Sequence, residues 1–310
     1  MKKIKVISVF GTRPEATKMV PLIFALQNCG DIESEVCVTA QHREMLDQVL
    51  EPFNIKPRYD LNVMSAGQTL HDVVSRVLYG LKNVLEEFKP DLLLAHGDTV
   101  TTFAASLAAF YAQVKVGHVE AGLRSYDKYR PFPEEINRKL TTALADLHFA
   151  PTETAKANLL KENIPESTIY VTGNTAIDFI RYTIKPDYVF QNGTLNGLDF
   201  TKKIVVTTAH RRENWGEPLD NICRAVKRLA DDFPEIFIVW PLHPNPTVKD
   251  AARKILSGHK QILLTDNINV FDMHNLMRRA YLVLTDSGGL QEEAPAFNLP
   301  SVVLREVTER

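Results

Sequence analysis

Three acidic residues, Asp98, Glu120 and Glu134, each follow closely on an apolar run that reads as a buried strand or its exit. The runs are Asp91-Leu92-Leu93-Leu94-Ala95-His96-Gly97-Asp98 and Val114-Lys115-Val116-Gly117-His118-Val119-Glu120, with Glu134 in the loop-to-helix segment beyond the second. Open parallel sheets bind ligands at the carboxyl edge of their strands. Carboxylates gathered there suit proton transfer better than packing. Each has a plain structural alternative. Asp98 can cap the helix that opens at Thr99, Glu120 can form a surface pair with Arg124, and Glu134 can simply suit a helix dipole. Against these, Gly97 lets the backbone approach a ligand beside Asp98, and Gly117 and Gly122 flank Glu120. Pro131 and Pro133 stiffen the approach to Glu134, which shares a helix face with Arg138 four residues on.

Other segments suit anions. In Phe10-Gly11-Thr12-Arg13-Pro14, glycine permits a tight turn and proline suits a first helical turn, so Arg13 and Lys18 sit near a helix start. Ala209-His210-Arg211-Arg212-Glu213-Asn214 follows a strand directly, and its histidine and arginines can receive phosphate oxygens. In Thr285-Asp286-Ser287-Gly288-Gly289, a strand runs into glycines and then a helix, offering N–H groups to a diphosphate. Glu292 or Glu293, one turn inward, can accept from ribose hydroxyls. An ordinary βα turn, a solvated basic loop and a capped helix are the corresponding bland readings. His243 and His274 stand alone and read as structural or surface residues. No His, Cys and carboxylate set has metal spacing, and no GxSxG elbow occurs.

The elements that must position these residues alternate between strand-like and helix-like along most of the chain. Strands are expected at 4–10, 35–40, 91–96, 114–119 and 147–150, and helices at 14–28, 41–51, 68–88, 99–112, 133–145 and 152–162. This is the pattern of βαβ units around a parallel sheet. Residues 183–202 lose the period and are expected to be a linker. The alternation resumes at Lys203, with strands near 236–240, 261–265 and 281–285 and helices near 218–231, 246–257, 271–280 and 288–297. The expected organisation is an N-terminal Rossmann-like domain over 1–182, a linker over 183–202 and a second Rossmann-like domain over 203–310.

At 310 residues the chain is long enough for two cores. Its net charge of −2 gives no general pull toward nucleic acid or an anionic membrane. No apolar run approaches a membrane span, and the basic start enters a first strand rather than a signal peptide. Three cysteines, Cys29, Cys37 and Cys223, are odd in number and read as reduced thiols of a cytoplasmic protein.

Taken together, FGTRPEA, TAQHREMLDQVL, HGDT, GHVEAGLR, PFPEEINR, AHRREN and DSGGLQEEAP resemble, in that order and over essentially the whole chain, the non-hydrolysing UDP-N-acetylglucosamine 2-epimerases. The resemblance implies an α/β fold of two doubly wound domains facing across a cleft, as in GT-B glycosyltransferases. It implies interconversion of UDP-GlcNAc and UDP-ManNAc by anti-elimination of UDP, through 2-acetamidoglucal, and re-addition, with the product destined for cell-surface polysaccharide. No cofactor, nicotinamide or metal is implied. By matching motifs, Asp98, Glu120 and Glu134 are acid/base candidates. His210 and Arg13 would hold the departing diphosphate, Ser287, Gly288 and Gly289 would bind phosphate, and Glu293 the ribose. Arg138, Lys18 and Arg310 complete the charged lining. Gln41, His42 and His243 match parts of a second, activating substrate site, although Gly67 stands where some members have arginine. A homodimer is implied, with a cleft that closes on the sugar. The family continues past Thr308-Glu309-Arg310 with a helix that crosses back to the first domain, whose absence would loosen closure and expose apolar surface. Two other functions fit some of these features, a catalytically weak UDP-sugar binding protein and a GT-B glycosyltransferase.

Overall fold

A computed structural model of the chain describes residues 2–40, 43–65 and 67–306, and the side chains of 43–45 are outside that description. The chain divides into two compact units between Phe179 and Ile180. In the first unit, strands β1 (Ile4–Phe10), β2 (Ile32–Val38), β3 (Tyr59–Asp60), β4 (Leu92–His96), β5 (Lys115–Val119), β6 (Leu147–Ala150) and β7 (Ile169–Val171) form one sheet. Its order is β3-β2-β1-β4-β5-β6-β7, every pair parallel. Helices α1 (Arg13–Gln27), α2 (Arg43–Leu50), α3 (Leu70–Phe88), α4 (Val100–Tyr111), α5 (Glu134–Leu144), α6 (Glu153–Lys161) and α7 (Thr175–Thr183) connect or follow the strands. The division between units falls inside α7.

The central strands are runs of Val, Ile, Leu and Phe because both faces are covered. Ile7, Val9, Leu93, Ala95 and Val116 are all fully buried or nearly so, packed with Val77 and Leu81 of α3 and Ala104 and Ala105 of α4. Helix α3 turns Val73, Val77, Leu81, Val84, Leu85 and Phe88 inward, the spacing of one helical face. The Thr69 hydroxyl caps it by accepting from the Asp72 amide at 3.3 Å, and the Asp72 carboxylate in turn accepts from the Thr69 amide at 2.7 Å. Gly122 (φ +90°) is a position where no side chain fits, since a β-carbon there would lie 2.3 Å from the Ala155 carbonyl oxygen.

The second unit carries β8 (Lys203–Thr208), α8 (Glu217–Asp232), β9 (Ile236–Pro241), α9 (Pro246–Leu256), β10 (Ile262–Thr265), α10 (Val270–Met277), β11 (Leu282–Thr285), α11 (Gly288–Glu293) and β12 (Ser301–Val303). Its parallel sheet is ordered β10-β9-β8-β11-β12. Trp240, Ile238, Cys223 and Val226 fill one face, and Val206, Val239, Leu276 and Met277 the other. Residues 183–202, expected to be a linker, belong to this packing. Phe190 and Leu195 are buried in the second core. The buried Asp272 carboxylate accepts the Gln191 and Asn192 amides and the Tyr188 hydroxyl, each at 2.9 Å. Polar composition hid a segment tied down by two apolar anchors and one carboxylate.

In both sheets the strand order reverses beside the first strand, between β1 and β4 and between β8 and β11. Such reversals leave crevices at the carboxyl ends of the strands. The sequence motifs map to these two edges. Among the described residues, no helix is long and apolar enough to cross a membrane.

Candidate active site

At the first edge, the strand ends of β1, β4 and β5 present Gly11 to Arg13, Gly97 to Thr99, and Glu120. Glu120 has φ +66°, a left-handed conformation that costs a non-glycine residue roughly 1–3 kcal/mol. Its Oε2 is paired with Lys18 Nζ and accepts from Asn174 Nδ2 at 3.0 Å. The Lys18 and Glu120 side chains are only 9% and 5% exposed, so theirs is a buried ion pair. A β-carbon on Gly97 (φ +72°) would sit 3.6 Å from Glu120 Oε1, so the Glu120 carboxylate lies against the turn that carries Asp98.

Asp98 does not cap α4. Thr99 does, accepting from the Thr102 amide at 3.1 Å. The Asp98 carboxylate instead meets Arg138 Nη2 at 2.6 Å, and its carbonyl accepts from Asn137 Nδ2 at 2.9 Å. Both donors lie in the second turn of α5. Glu134 opens that helix, part-buried and one turn ahead of Arg138. Arg138 also donates to Glu135, whose carboxylate accepts the Ser125 and Tyr126 amides and so fastens the preceding loop. The alternative of a surface pair between Glu120 and Arg124 does not form, because Arg124 is buried and makes a bidentate pair with Glu162 at 2.7 and 2.8 Å.

Sequence reasoning passed over Glu15. It is 2% exposed. One oxygen accepts the Gly11 and Thr12 amides at 3.0 and 2.8 Å, the other the Thr99 and Thr102 hydroxyls at 2.7 and 3.2 Å. It therefore ties the Arg13 turn to the Asp98 turn across the reversal between β1 and β4. Burial raises its pKa, opposed in part by those hydrogen bonds.

Two imidazoles lie under this edge. His96 Nε2 is 4.0 Å from Glu120 Oε2, and His118 Nε2 bonds the Gly97 carbonyl at 2.7 Å. Burial lowers the pKa of each from 6.5 to about 4. The unfolded chain then binds more protons than the folded one as pH falls from 6.5 toward 4. The stability that the two neutral rings contribute is complete above 6.5 and is lost through that window. At pH 5 the loss is roughly 2 kcal/mol per ring, offset in part by Glu15, which takes up a proton early in the folded state. Urea midpoints measured at pH 7.5, 6 and 5 should fall in that order, and a flat or rising series would refute the assignment of neutral buried rings.

At the second edge, β8 leads into His210 and β11 into Asp286. Asp286 is fully buried. Its Oδ2 accepts the His210 and Arg211 amides, each at 2.8 Å, and Asn214 Nδ2 at 2.9 Å, while Oδ1 lies 3.1 Å from His210 Nδ1. Burial alone would raise the Asp286 pKa, but His210 and the two amides outweigh it and leave it below the usual carboxylate range. A carboxylate at Nδ1 favours the proton there and leaves Nε2 as the working nitrogen. The exposed His243 ring stacks on His210, centroids 5.3 Å apart. Asp286 was legible as part of a strand–glycine motif, but its partner lies 76 residues earlier in sequence.

Ser287 precedes α11, and Gly288 and Gly289 open it. A β-carbon on Gly289 would lie 3.9 Å from both Ser287 Oγ and Glu293 Oε1, which places those two groups around it. Glu293 Oε2 is 3.3 Å from Nε2 of His274, a buried ring whose Nδ1 meets the Thr183 hydroxyl at 2.7 Å. Arg13 is half-buried at the first position of α1. Gln41, His42 and Arg310 lie outside the described residues. Among the described residues, no group of three His, Cys, Asp or Glu side chains is placed to hold a metal ion.

Residues 25–310 match the family model described as UDP-N-acetylglucosamine 2-epimerase. The chain belongs to the UDP-N-acetylglucosamine 2-epimerase family. It is 52% identical to the UDP-N-acetylglucosamine 2-epimerase of Bacillus subtilis over 310 residues, covering all of this chain and 81% of that one. Two solved 2-epimerase structures are similar. That of the UDP-GlcNAc 2-epimerase from Neisseria meningitidis, bound to UDP-GlcNAc, has a TM-score of 0.91 at 48% identity, over 99% of this chain and 84% of that one. The MnaA–UDP structure from S. aureus has a TM-score of 0.90 at 53% identity, over 100% and 81%. The two parallel-sheet α/β domains of this chain are thus those of the 2-epimerase family, with its GT-B-like fold.

Proposed function

We propose that this chain inverts C2 of UDP-GlcNAc to give UDP-ManNAc, by eliminating UDP and adding it back. C2 has no carbonyl neighbour to acidify its proton. Removing that proton as the C1–oxygen bond breaks forms the C1=C2 double bond of 2-acetamidoglucal, and UDP leaves with the bonding pair. Protonation of C2 from the other face, with return of UDP to C1, completes inversion. The net reaction consumes no oxidant, reductant or water. It needs proton-handling groups at C2 and charge stabilisation at the diphosphate.

One observation carries the reading. Asp98 and Glu120 end adjacent strands, each with its own cation, Arg138 and Lys18, and Glu134 heads the helix that supplies Arg138. We assign the proton transfers to these three carboxylates. In the second unit we assign the diphosphate to His210, held by Asp286, and to Ser287, Gly288 and Gly289, and the ribose to Glu293. Arg13 is assigned to the leaving phosphate, and the same role is proposed for Arg310. The stacking of His243 on His210 supports a role for it near the same ligand.

We extend the reading to a cytoplasmic homodimer. Three free cysteines, one of them exposed, suit a reducing compartment. Phe110 and Tyr111, 57% and 71% exposed, offer apolar surface that a second copy would cover.

The test is incubation with UDP-GlcNAc in deuterium oxide without added metal or nicotinamide. Deuterium at C2 together with UDP-ManNAc is the expected result. UDP binding with no C2 exchange would leave a binding protein instead, and free ManNAc would mean a hydrolysing enzyme.

A further inference from the structure

We propose that His118 is a positioning residue for Asp98, acting through the Gly97 carbonyl. The inference rests on the proton-transfer role assigned to Asp98. Asp98 follows a glycine at φ +72°, the most permissive residue type in the chain. A base carried on such a turn keeps its aim only if the turn is held from outside.

Among the described residues, four contacts hold it. The Gly97 amide donates to the Val119 carbonyl at 2.8 Å, continuing the β4–β5 ladder. His118 meets the Gly97 carbonyl at 2.7 Å, Asn137 donates to the Asp98 carbonyl at 2.9 Å, and Arg138 takes the Asp98 side chain at 2.6 Å. Two buried side chains thus spend hydrogen bonds on consecutive backbone carbonyls. A carbonyl only accepts, so His118 must carry its proton on Nε2. The ring is fully buried, and the bond to Gly97 is its one hydrogen bond among the described residues, since Nδ1 has none. Packing alone would not require an imidazole here, because an apolar ring of similar size leaves no buried nitrogen unpaired. His118 also precedes Val119 and Glu120 on β5, so one strand grips the Asp98 turn and presents the second carboxylate.

The experiment compares His118→Phe, His118→Asn and His118→Gln with Asp98→Asn, by melting, UDP affinity and C2 deuterium exchange. Glutamine places its amide nitrogen near the reach of Nε2, and asparagine falls short. Phenylalanine and asparagine should lower kcat about 10- to 100-fold, the cost of a misplaced catalytic group, while KM and UDP affinity hold. Glutamine should recover most of the loss. If the phenylalanine variant does not fold, the glutamine–asparagine pair decides, and equal kcat in those two overturns the proposal. So does wild-type kcat in folded His118→Phe, or an effect confined to KM. Retained exchange in Asp98→Asn overturns the role of Asp98 itself, a separate failure.

Discussion

Replacing Asp98 with asparagine should lower C2 deuterium exchange by about 10²- to 10⁴-fold, the range for removal of a positioned acid or base, and leave UDP affinity essentially unchanged. The structure makes this a clean substitution. Thr99, not Asp98, caps α4, so the helix start survives. Asparagine keeps the shape and one oxygen for Arg138, which retains Glu135 at 3.1 Å as a second partner. The stability cost should therefore be about 1–2 kcal/mol, that of weakening one hydrogen bond between charged groups. The UDP contacts assigned to His210, Ser287 and Glu293 are on the other unit, which the substitution does not touch. Exchange at the wild-type rate in a folded, UDP-binding variant would reduce the Asp98–Arg138 pair to structural support.

Replacing Glu15 with alanine should be strongly destabilising although this residue need not touch substrate. Alanine strands the Gly11 and Thr12 amides, which donate to Glu15 at 3.0 and 2.8 Å in a buried setting. Each unsatisfied donor costs about 1–3 kcal/mol, so a loss of roughly 3 kcal/mol is expected. The Thr99 and Thr102 hydroxyls lose less, being 3.1 Å apart and able to bond each other. Glutamine should cost far less than alanine. Its oxygen can take the two amides while its nitrogen donates to threonine hydroxyls turned to accept, and an uncharged group avoids the burial that raises the glutamate pKa. Denaturant unfolding of the two variants checks the order. A glutamine variant as unstable as alanine would mean that the charge, not the hydrogen-bond pattern, holds the two turns.

Much of the local architecture was legible because it depends on neighbours in sequence. Alternating apolar runs and amphipathic stretches gave the strands at 4–10 and 147–150 to the residue, and the motifs after β1, β4, β5, β8 and β11 lie at strand ends as expected. Three strands and one helix escaped. Strand β3 has two residues and β7 and β12 three each, too short for a period to show, and the nine-residue helix α7 also went unread. The 183–202 segment escaped for another reason. Its structure comes from Phe190, Leu195 and Asp272, whose meeting no local pattern encodes.

By itself the sequence determined which residue types stand at which strand ends, and hence two carboxyl edges, one with carboxylates and cations and one with a histidine and glycines. Only the tertiary structure decided the pairings. Arg138 meets Asp98 across 40 residues, Arg124 takes Glu162 rather than Glu120, and Asp286 turns His210 across the β8–β11 reversal. The reason is physical. A strand end is set by short-range periodicity, but an ion pair is set by which strands the sheet makes neighbours, and that order follows from packing of the whole unit.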